Sequence, residues 1–189
     1  MTEKLAAYRG KRNFRRTPEP RAQGRSRKRK PRFVIQKHAA SSLHYDFRLE
    51  AGGVLKSWAV PKGPSLDPRE KRLAMPTEDH PLAYADFEGV IPEGEYGAGS
   101  VIVWDSGSYR NLGEEPLEQA LAGGHAAVWL EGEKLRGGYA LTRIGNGKRE
   151  RWLLVKMDDE GADRRRNPVS TQPESVLSGK TVEQIAAQR

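Results

Sequence analysis

Two histidines and an aspartate stand close together at the start of the apolar part of the chain. Residues 43–50 read LHYDFRLE, so apolar residues alternate with histidine, aspartate, arginine and glutamate. A strand with this alternation has one apolar face and one charged face, and His44 and Asp46 share the charged one. His38 lies six residues before His44, and this even offset lets it share the face if the pairing is regular or a turn folds it back. Two neutral imidazoles and a carboxylate suit a divalent transition metal such as manganese, iron or zinc better than magnesium.

Residues near this motif could handle a phosphate ester. Arg48 lies on the same predicted strand face, and the segment TEDHPLAYADFEG adds Glu78, His80 and Tyr84. With a lysine such as Lys62, these cations and the metal would neutralise phosphoryl oxygens while histidine moves protons. The motif therefore predicts a metal-assisted reaction at phosphorus.

The same residues allow two other interpretations. One is a solvated polar face with incidental histidines. The other is the facial triad of a non-haem iron oxygenase, in which His44, Asp46 and His125 would bind iron. Arg136 would then hold a 2-oxoglutarate carboxylate. That triad leaves His38 unexplained, and His125, isolated between two glycines and an apolar run, fits a structural role.

Basic residues are concentrated at the N-terminus. The net charge is +8, and residues 1–32 contain thirteen Lys and Arg but only two acids. This asymmetry is typical of a polyanion binder whose phosphate contacts lie in one segment. Residues 20–32 cannot bury apolar surface and are predicted to be disordered or ordered only on binding. The predicted nucleic-acid contacts in this arm are Arg25, Arg27, Lys28, Arg29, Lys30 and Arg32.

From Phe33 onward the sequence favours strands. Short runs rich in Val, Ile, Tyr, Phe and Trp are separated by Gly, Pro and Asn, which predicts a mostly β fold, an antiparallel barrel or sandwich with a few short helices. Helices are predicted within residues 114–124 and after a capping box formed by Thr181 and Gln184. We divide the chain into a basic arm (1–32), a β-barrel domain (33–160), a linker (161–174) and a helical tail (175–189).

The composition also limits the cellular setting. Cysteine is absent, which removes disulfides and thiolate chemistry and fits a reducing compartment. No run approaches the roughly 20 apolar residues of a membrane helix, and no apolar signal sequence follows the initial methionine. The basic arm lacks apolar anchors that would hold it on a membrane. We expect a soluble, cytoplasmic protein with no membrane partner.

Several long segments resemble a known family. FVIQKHAASSLHYDFRLEAGGVLKSWAVPKGPSLDP, EDHPLAYADFEGVIPEGEYGAG and VIVWDSGSY are similar to the 3′-phosphoesterase domain of bacterial ATP-dependent DNA ligase D and its free-standing relatives. The similarity covers roughly residues 8–158 and extends to PESVLSGKTVEQIA near the C-terminus. It implies a barrel-like β fold and a manganese-dependent nuclease and phosphatase that trims 3′ ends of DNA breaks in non-homologous end joining. Such an enzyme removes a 3′-terminal ribonucleoside with help from a neighbouring 2′-hydroxyl, and then hydrolyses the 3′-phosphate to a ligatable hydroxyl.

The resemblance also implies roles for particular residues. His38, His44 and Asp46 match the metal ligands, and Arg48 and His80 match residues that engage the phosphate. Other active-site positions are matched by Gln36, Lys62, Arg72, Glu78 and Tyr84. DNA or RNA-tipped DNA 3′ ends are the implied substrates, and a DNA ligase, a repair polymerase and a Ku-like end-binding protein are the implied partners.

At the front of the chain, KRNFRRTPEP resembles the family segment that begins Lys-Arg-Asp-Phe. By this match Arg12 and Glu19 should fold back over the site, but Asn13 stands where the family has aspartate. An amide cannot act as a base or carry the same charge. We therefore hypothesise that diesters are cleaved well and monoesters poorly. A catalytically impaired DNA-end-binding subunit is the non-enzymatic alternative.

Overall fold

The computed structural model describes residues 3–21, 29–145 and 148–188. Within these ranges there are nine strands: β1 (Arg32–Ala39), β2 (Leu43–Ala51), β3 (Val54–Val60), β4 (Lys71–His80), β5 (Gly89–Ile91), β6 (Gly99–Asn111), β7 (His125–Gly132), β8 (Arg136–Arg143) and β9 (Trp152–Lys156). The short helices are α1 (Ala6–Gly10), α2 (Leu117–Ala122), α3 (Pro168–Thr171) and α4 (Val182–Ala186), with a 3₁₀ helix at Leu82–Asp86.

Eight of these strands close into an antiparallel barrel. Their order is β1-β2-β3-β4-β9-β8-β7-β6, and β6 pairs back with β1 to complete the ring. The short β5 adds a further pairing to the first part of β6. The predicted mostly β, antiparallel barrel is thereby confirmed, and the β1–β6 pairing is what distinguishes it from a sandwich.

The barrel interior holds the main apolar core. Residues from all eight strands contribute to one buried cluster, with Trp104, Phe33, Phe47 and Tyr139 among its largest side chains. Fully burying one large apolar side chain contributes roughly 1.5–3 kcal/mol relative to leaving it exposed. On β2 the inward residues are Tyr45, Phe47 and Leu49, so the alternating residues of that strand point outward.

A second apolar cluster covers the outside of the barrel. Val34, Leu55 and Val103 belong to strands of the wall, and they meet Tyr8 from the N-terminus and Tyr84 from the 3₁₀ helix. Residues 8–20, here called the N-terminal strap, lie on this outer layer. The strap closes on itself because the Tyr8 hydroxyl donates to the carbonyl of Pro20 at 2.5 Å. Polar residues of the outer face of β1 and β2 are therefore enclosed between the barrel wall and the strap.

The segments at both ends of the chain lie against the barrel where they are described. In the range 161–174, interpreted from sequence as a linker, Val169 packs against the interior cluster and the Gln172 carbonyl accepts from the indole Nε1 of Trp104 at 2.7 Å. In the predicted helical tail, α4 begins with the predicted capping box of Thr181 and Gln184. The predicted helix within 114–124 is α2, which ends before paired glycines.

The basic arm is only partly described. Residues 22–28, which include the predicted contacts Arg25, Arg27 and Lys28, lie outside the described residues. Arg29 and Lys30 are exposed, and Arg32 begins β1 and pairs with Asp86 at 2.8 Å. Over the described ranges, the helices are all too short or too polar to cross a membrane.

A β-bulge in β6 lies next to a buried carboxylate that holds it through hydrogen bonds. The β1–β6 register shifts between Ile35 and Gln36, so Trp104 is the extra residue on β6. The next residue, Asp105, is fully buried. Its carboxylate accepts from four backbone N–H groups at 2.9–3.1 Å, those of Ser106, Glu133, Lys134 and Leu135. Asp105 thus joins β6 to the β7–β8 turn.

We expect Asp105→Asn to destabilise the protein by about 1–3 kcal/mol, because the amide nitrogen cannot accept and leaves at least one buried N–H without a partner. Asp86→Asn is the matched control, since Asp86 is mostly exposed and its pair with Arg32 should contribute about 0–1 kcal/mol. Urea denaturation of both variants measures the difference. Equal losses of unfolding free energy would contradict the structural role of Asp105.

Candidate metal centre and phosphate pocket

The β1–β2 hairpin brings the three predicted metal ligands together. Residues 40–42 form its loop, and the register pairs His38 with His44 and Gln36 with Asp46 across the two strands. Directly opposed residues share a face of the sheet, so both histidines and the aspartate point outward from the barrel. The six-residue spacing of the histidines is therefore the spacing of a cross-strand pair.

The donor atoms of these side chains converge on one point. One nitrogen of His38, one of His44 and a carboxylate oxygen of Asp46 lie within 4.8 Å of one another. His38 Nδ1 is 3.4 Å and His44 Nε2 is 3.3 Å from the same oxygen, Oδ2 of Asp46. Asp46 is 5% exposed. This is a group that could hold a metal ion.

Backbone carbonyls fix which nitrogen of each ring is free. His38 Nε2 lies 2.6 Å from the carbonyl of Gly97, and His44 Nδ1 lies 3.0 Å from the carbonyl of Ser42. A carbonyl only accepts, so these nitrogens carry the hydrogens. The other nitrogen of each neutral ring then points a lone pair at the carboxylate of Asp46.

Lone pairs that face a carboxylate require a positive charge between them. Burial alone would lower the pKa of His44, but the hydrogen bond and charge of Asp46 outweigh it and raise that pKa. Burial would likewise raise the pKa of Asp46, but the Arg48 guanidinium and the two histidines hold it well below its usual range. The demand for a cation is met by a proton or by a metal ion. Histidine rings whose second nitrogen donates to a carbonyl are typical of metal ligands, so the residues fit a metal.

Arg48 is positioned beside the ligands by Gln36. The Gln36 amide oxygen accepts from Arg48 Nε at 2.7 Å, and the Gln36 amide nitrogen donates to the carbonyls of Tyr84 and Phe87. Arg48 Nη2 lies 3.5 Å from Asp46 Oδ2. Among the described residues, the buried Nη1 of Arg48 has no hydrogen-bond partner. An unpaired buried donor in such a place indicates a ligand or an ordered water.

The N-terminal strap contributes a second cation. Arg12 Nε donates to Glu19 at 2.9 Å, Nη1 donates to Glu78 at 3.1 Å, and Nη2 lies 3.3 Å from His80 Nε2. The side chains of Arg12, Glu19 and Glu78 are each at most 6% exposed. The Tyr84 hydroxyl donates to Glu19 at 2.8 Å. Arg12 and Glu19 thus lie in the same pocket as the three predicted metal ligands.

A β-bulge aims Glu78 and His80 at this pocket. The β3–β4 pairing matches Ser57 with Thr77 but Leu55 with His80, so Glu78 and Asp79 together oppose one residue of β3. Thr77 and His80 consequently share the outer face although they are three positions apart. Without this bulge, strict alternation would turn His80 away from Thr77.

His80 is held as a neutral ring. Its Nδ1 lies 2.8 Å from the carbonyl of Glu78 and must donate, so its Nε2 accepts from Arg12. Burial and the positive charges of Arg48 and Arg12 hold the pKa of His80 well below its usual value. At neutral pH this imidazole therefore offers a lone pair rather than a proton.

These residues line one cavity of about 330 Å³. It contains Arg12, Glu19, His38, His44, Asp46, Arg48, Glu78, His80 and Tyr84, all predicted from the sequence. Gln36 lies behind Arg48 rather than on the cavity surface. Ala59, opposite Asp46 on β3, is small and leaves room there.

Other predicted site residues lie elsewhere. Lys62 is exposed beyond the end of β3. Arg72 forms an ion pair with Glu70 at 2.6 Å, and its partner on β9 is Leu154, whose side chain belongs to the interior cluster. Asn13 is exposed, and its side chain accepts from the backbone N–H of Arg15 at 3.1 Å. None of the three is among the residues that line the cavity, so their predicted roles stay predictions.

The oxygenase triad is not assembled in the described residues. His125 lies on β7, is exposed and contacts the Thr142 hydroxyl at 3.0 Å. Arg136 lies on β8 beside Glu131. Neither residue lines the cavity that contains His44 and Asp46.

Thr77 and Tyr96 are among the residues of the cavity wall that sequence reasoning did not single out. Thr77 has a buried hydroxyl without a partner among the described residues, and Tyr96 stands at the rim. Both were read only as parts of longer segments. For Tyr96 a signal existed, since a tyrosine in the glycine-rich turn PEGEYGAG has no place in an apolar strand pattern.

Comparison with known proteins agrees with this architecture. Residues 36–143 match the family model described as the DNA Ligase D 3′-phosphoesterase domain. The chain therefore belongs to the DNA ligase D 3′-phosphoesterase domain family, as the sequence resemblance predicted.

Three curated relatives bear names containing "non-homologous end joining" and LigD. The chain is 52% identical to the Pseudomonas aeruginosa protein over 94% of its own length and 22% of that protein. It is 44% identical to the Mycolicibacterium smegmatis protein over 85% of the chain and 21% of that protein. It is 45% identical to the Mycobacterium tuberculosis protein over 85% of the chain and 20% of that protein. The chain thus spans about a fifth of the length of these relatives.

Metal binding by the three converging side chains predicts stabilisation. At a hundredfold excess over the dissociation constant, a ligand specific for the folded state adds about 2.7 kcal/mol, which corresponds to about 5–10 °C in Tm for a chain of this size. We expect this shift with Mn²⁺ in a thermal melt of the wild-type protein, and its loss in His44→Ala.

His125→Ala provides the matched control, because it removes a histidine that lies outside the cavity. It should keep the full manganese-dependent shift. If His44→Ala also kept the full shift, the assignment of the metal ligands would be wrong.

Proposed function

We propose that the protein is a metal-dependent DNA 3′-end-processing phosphoesterase that removes 3′-terminal ribonucleosides and 3′-phosphates to leave a ligatable 3′-hydroxyl. The observation that carries this proposal is the convergence of His38, His44 and Asp46 beside two buried arginines in one cavity. Membership of a 3′-phosphoesterase family supports the same reaction class.

The metal site supplies Lewis-acid chemistry. Mn²⁺, or another divalent transition metal, held by the two histidines and the aspartate would polarise a nonbridging phosphoryl oxygen. The ligand set of nitrogen and carboxylate donors suits such a metal. Manganese in particular is what the family resemblance implies, whereas the ligands themselves suit several divalent transition metals.

The chain's own cations stabilise the remaining charge. Arg48 Nη1, which has no partner in the described protein, donates to a second phosphoryl oxygen. Arg12 lies across the cavity and adds a further positive charge. Donors fixed where charge develops in the transition state lower the barrier without reorganisation.

His80 serves as a proton acceptor. Because its pKa is depressed by burial and by the neighbouring arginines, its Nε2 carries a lone pair at neutral pH. That nitrogen takes the proton of the attacking hydroxyl or water. The sequence left a general-acid role open for His80, but the neutral ring keeps its hydrogen on Nδ1 and has no proton on Nε2 to donate, which favours the acceptor role.

The reaction then runs in two hydrolyses. Water adds to phosphorus with help from the neighbouring 2′-hydroxyl, and the bond between phosphorus and the 5′ oxygen of the terminal nucleoside breaks. The nucleoside leaves with a 5′-hydroxyl and the strand keeps a 3′-phosphate. A second water breaks the bond between phosphorus and the 3′ oxygen of the strand, which releases inorganic phosphate and a 3′-hydroxyl.

The names of the relatives support a setting for this activity. They contain "non-homologous end joining", which supports a DNA or RNA-tipped DNA 3′ end at a break as the proposed substrate. A DNA ligase consumes the 3′-hydroxyl, and a repair polymerase and a Ku-like end-binding protein act on the same end. The reaction takes place in the cytoplasm.

The alternative is a catalytically impaired DNA-end-binding subunit. Its support is Asn13, which replaces the aspartate of the family. However, Asn13 is exposed and lines no part of the cavity, and the three metal ligands are retained. The cavity therefore favours an active enzyme.

A primer-template with one 3′-terminal ribonucleotide tests the proposed activity. In Mn²⁺ we expect loss of the terminal nucleoside and then of the 3′-phosphate, because both reactions break a bond to the same phosphorus atom in the cavity. Asp46→Ala should reduce both rates by at least about a hundredfold, the scale of removing one electrostatic stabiliser of the transition state. Separation of the product ends on a gel measures each step.

The wild-type protein and Asn13→Asp should be compared on a 3′-phosphate end. A higher monoesterase rate in the variant, with the diesterase rate unchanged, is expected if Asn13 limits the second step. Binding of the ends without turnover by the wild-type protein in saturating Mn²⁺ would instead support the impaired subunit.

The basic arm should determine the salt dependence of DNA binding. Each duplex phosphate contact contributes about −0.9 to the slope of log K against log salt. Changing Lys28, Arg29 and Lys30 to Gln should reduce the steepness of this slope by about 2–3. Fluorescence anisotropy with labelled duplex at several salt concentrations measures it.

The control is Lys148, Arg149 and Arg151 changed to Gln. These residues lie on the connection between β8 and β9, two strands that are not neighbours of β1 or β2 in the barrel. The control variant has the same loss of charge and should leave the slope nearly unchanged. Equal effects of the two triple variants would mean that the arm has no special contact with the DNA backbone.

A further inference from the structure

Tyr96 is an exposed aromatic residue at the rim of the phosphate cavity. Its relative exposure is 48%, and it is the only aromatic residue among the exposed large apolar residues of the described ranges. Part of it lines the cavity that contains His38 and Asp46. A single exposed apolar side chain is ordinary on a protein surface, so its position beside the metal ligands is what gives it meaning.

The loop that holds Tyr96 is tied to the metal centre. Two turns fix residues 92–98, with Glu95 N donating to the Pro92 carbonyl and Ala98 N donating to the Glu95 carbonyl, both at 3.1 Å. Within the second turn, the carbonyl of Gly97 accepts from His38 Nε2 at 2.6 Å. Because adjacent Cα atoms are only about 3.8 Å apart, Tyr96 is positioned relative to the metal ligands by the same contact.

Gly97 makes this contact possible. Its φ is +75°, and a Cβ at this position would lie 3.3 Å from Cε1 of His38. A larger residue would strain the backbone and crowd the ring. The loop is thus held against His38, and Tyr96 has little freedom to move away from the cavity.

Two cations accompany the Tyr96 ring. Lys11 Nζ lies 4.8 Å and Arg12 Cζ lies 5.5 Å from the ring centroid. Lys11 is itself held by Glu78 at 3.0 Å. An aromatic platform with flanking basic groups is how proteins bind the bases and backbone of single-stranded nucleic acid.

The shape of the substrate requires such a platform. A 3′-terminal nucleotide presents a phosphate ester and a flat base joined through one sugar. The cavity supplies cations for the phosphate, and its other walls are formed mostly by small or polar residues such as Ala40, Ser41 and Thr77, with the buried Ile91. At its rim Tyr96 alone offers an exposed flat apolar surface in the described part of the chain.

We propose that Tyr96 forms a base-stacking subsite for the nucleobase of the nucleotide whose 3′ phosphate ester occupies the cavity. The identity of that end rests on the proposed function, whereas the stacking rests on the geometry of the Tyr96 loop. Every base has a π face, so the subsite accepts all four bases and rejects an abasic sugar.

A fluorescent base tests the subsite directly. Oligonucleotides with a 3′-phosphate carry 2-aminopurine either at the 3′ terminus or six nucleotides inside the strand, and are titrated with protein in EDTA, so that no hydrolysis occurs. The wild-type protein should quench the terminal probe more than the internal one. Tyr96→Leu should lose this difference, while Tyr96→Phe keeps the ring and should keep it.

Affinity for a terminal abasic site provides the second measurement. Stacking on an aromatic ring contributes about 1–3 kcal/mol per base, so Tyr96→Leu should weaken binding of the base-bearing end about 5- to 150-fold. Binding of the abasic end should be nearly the same for this variant and the wild-type protein. Leu112→Ala, which removes an exposed apolar side chain outside the cavity, is the control and should change neither.

Three results would overturn the subsite. They are unchanged terminal quenching in Tyr96→Leu, equal weakening for base-bearing and abasic ends, and no end-dependent quenching by the wild-type protein. A failure of the proposed function would look different. After Mn²⁺ is added, the 3′ ends would remain intact, although the terminal probe would still be quenched.

Discussion

The site depends on one carboxylate oxygen that faces three nitrogen atoms. Oδ2 of Asp46 lies 3.3–3.5 Å from His38 Nδ1, His44 Nε2 and Arg48 Nη2. The two imidazoles are oriented by carbonyls of Gly97 and Ser42, which leaves their free nitrogens directed at a negative charge. Such an arrangement is favourable only with a cation between the donors, and a divalent metal supplies more charge there than a proton does. Much of the surrounding structure serves to keep these atoms in place.

The N-terminal strap is held by charges that would be costly if separated. Arg12 bridges Glu19 and Glu78, and all three side chains are nearly or fully buried. Burying ions is unfavourable unless each finds partners, so breaking one pair leaves an uncompensated charge. Tyr8 packs its ring 3.9 Å from the Arg12 guanidinium and closes the strap through Pro20. The strap therefore docks as a unit, and it delivers a cation to the cavity from a segment that precedes the barrel in sequence.

The sequence predicts the parts of the site that follow from a local pattern, but not the parts that depend on contacts between distant segments. The alternation of β2 predicted that His44, Asp46 and Arg48 share a face, because a strand has a fixed period of two. The position of His38 required the three-residue hairpin loop, which even spacing allowed but did not prove. The bulge that turns His80 toward the cavity leaves no mark in a single sequence, since it is fixed by the pairing of β3 with β4. Arg12 and Glu19 were placed by resemblance alone, because no local rule connects a strap to a strand.

The location of the site on the outside of the barrel follows from its interior. Trp104, Phe33, Phe47 and Tyr139 are completely or almost completely buried within the ring of strands, so large apolar side chains fill much of the interior. The polar residues of the candidate site lie on the outward face, where a side chain would be solvated and mobile without a cover. The strap, the 3₁₀ helix and the Tyr96 loop provide that cover and leave one side of the cavity open. The two faces of the same strands thereby differ in character, so Phe47 supports the core while its neighbours Asp46 and Arg48 face the cavity.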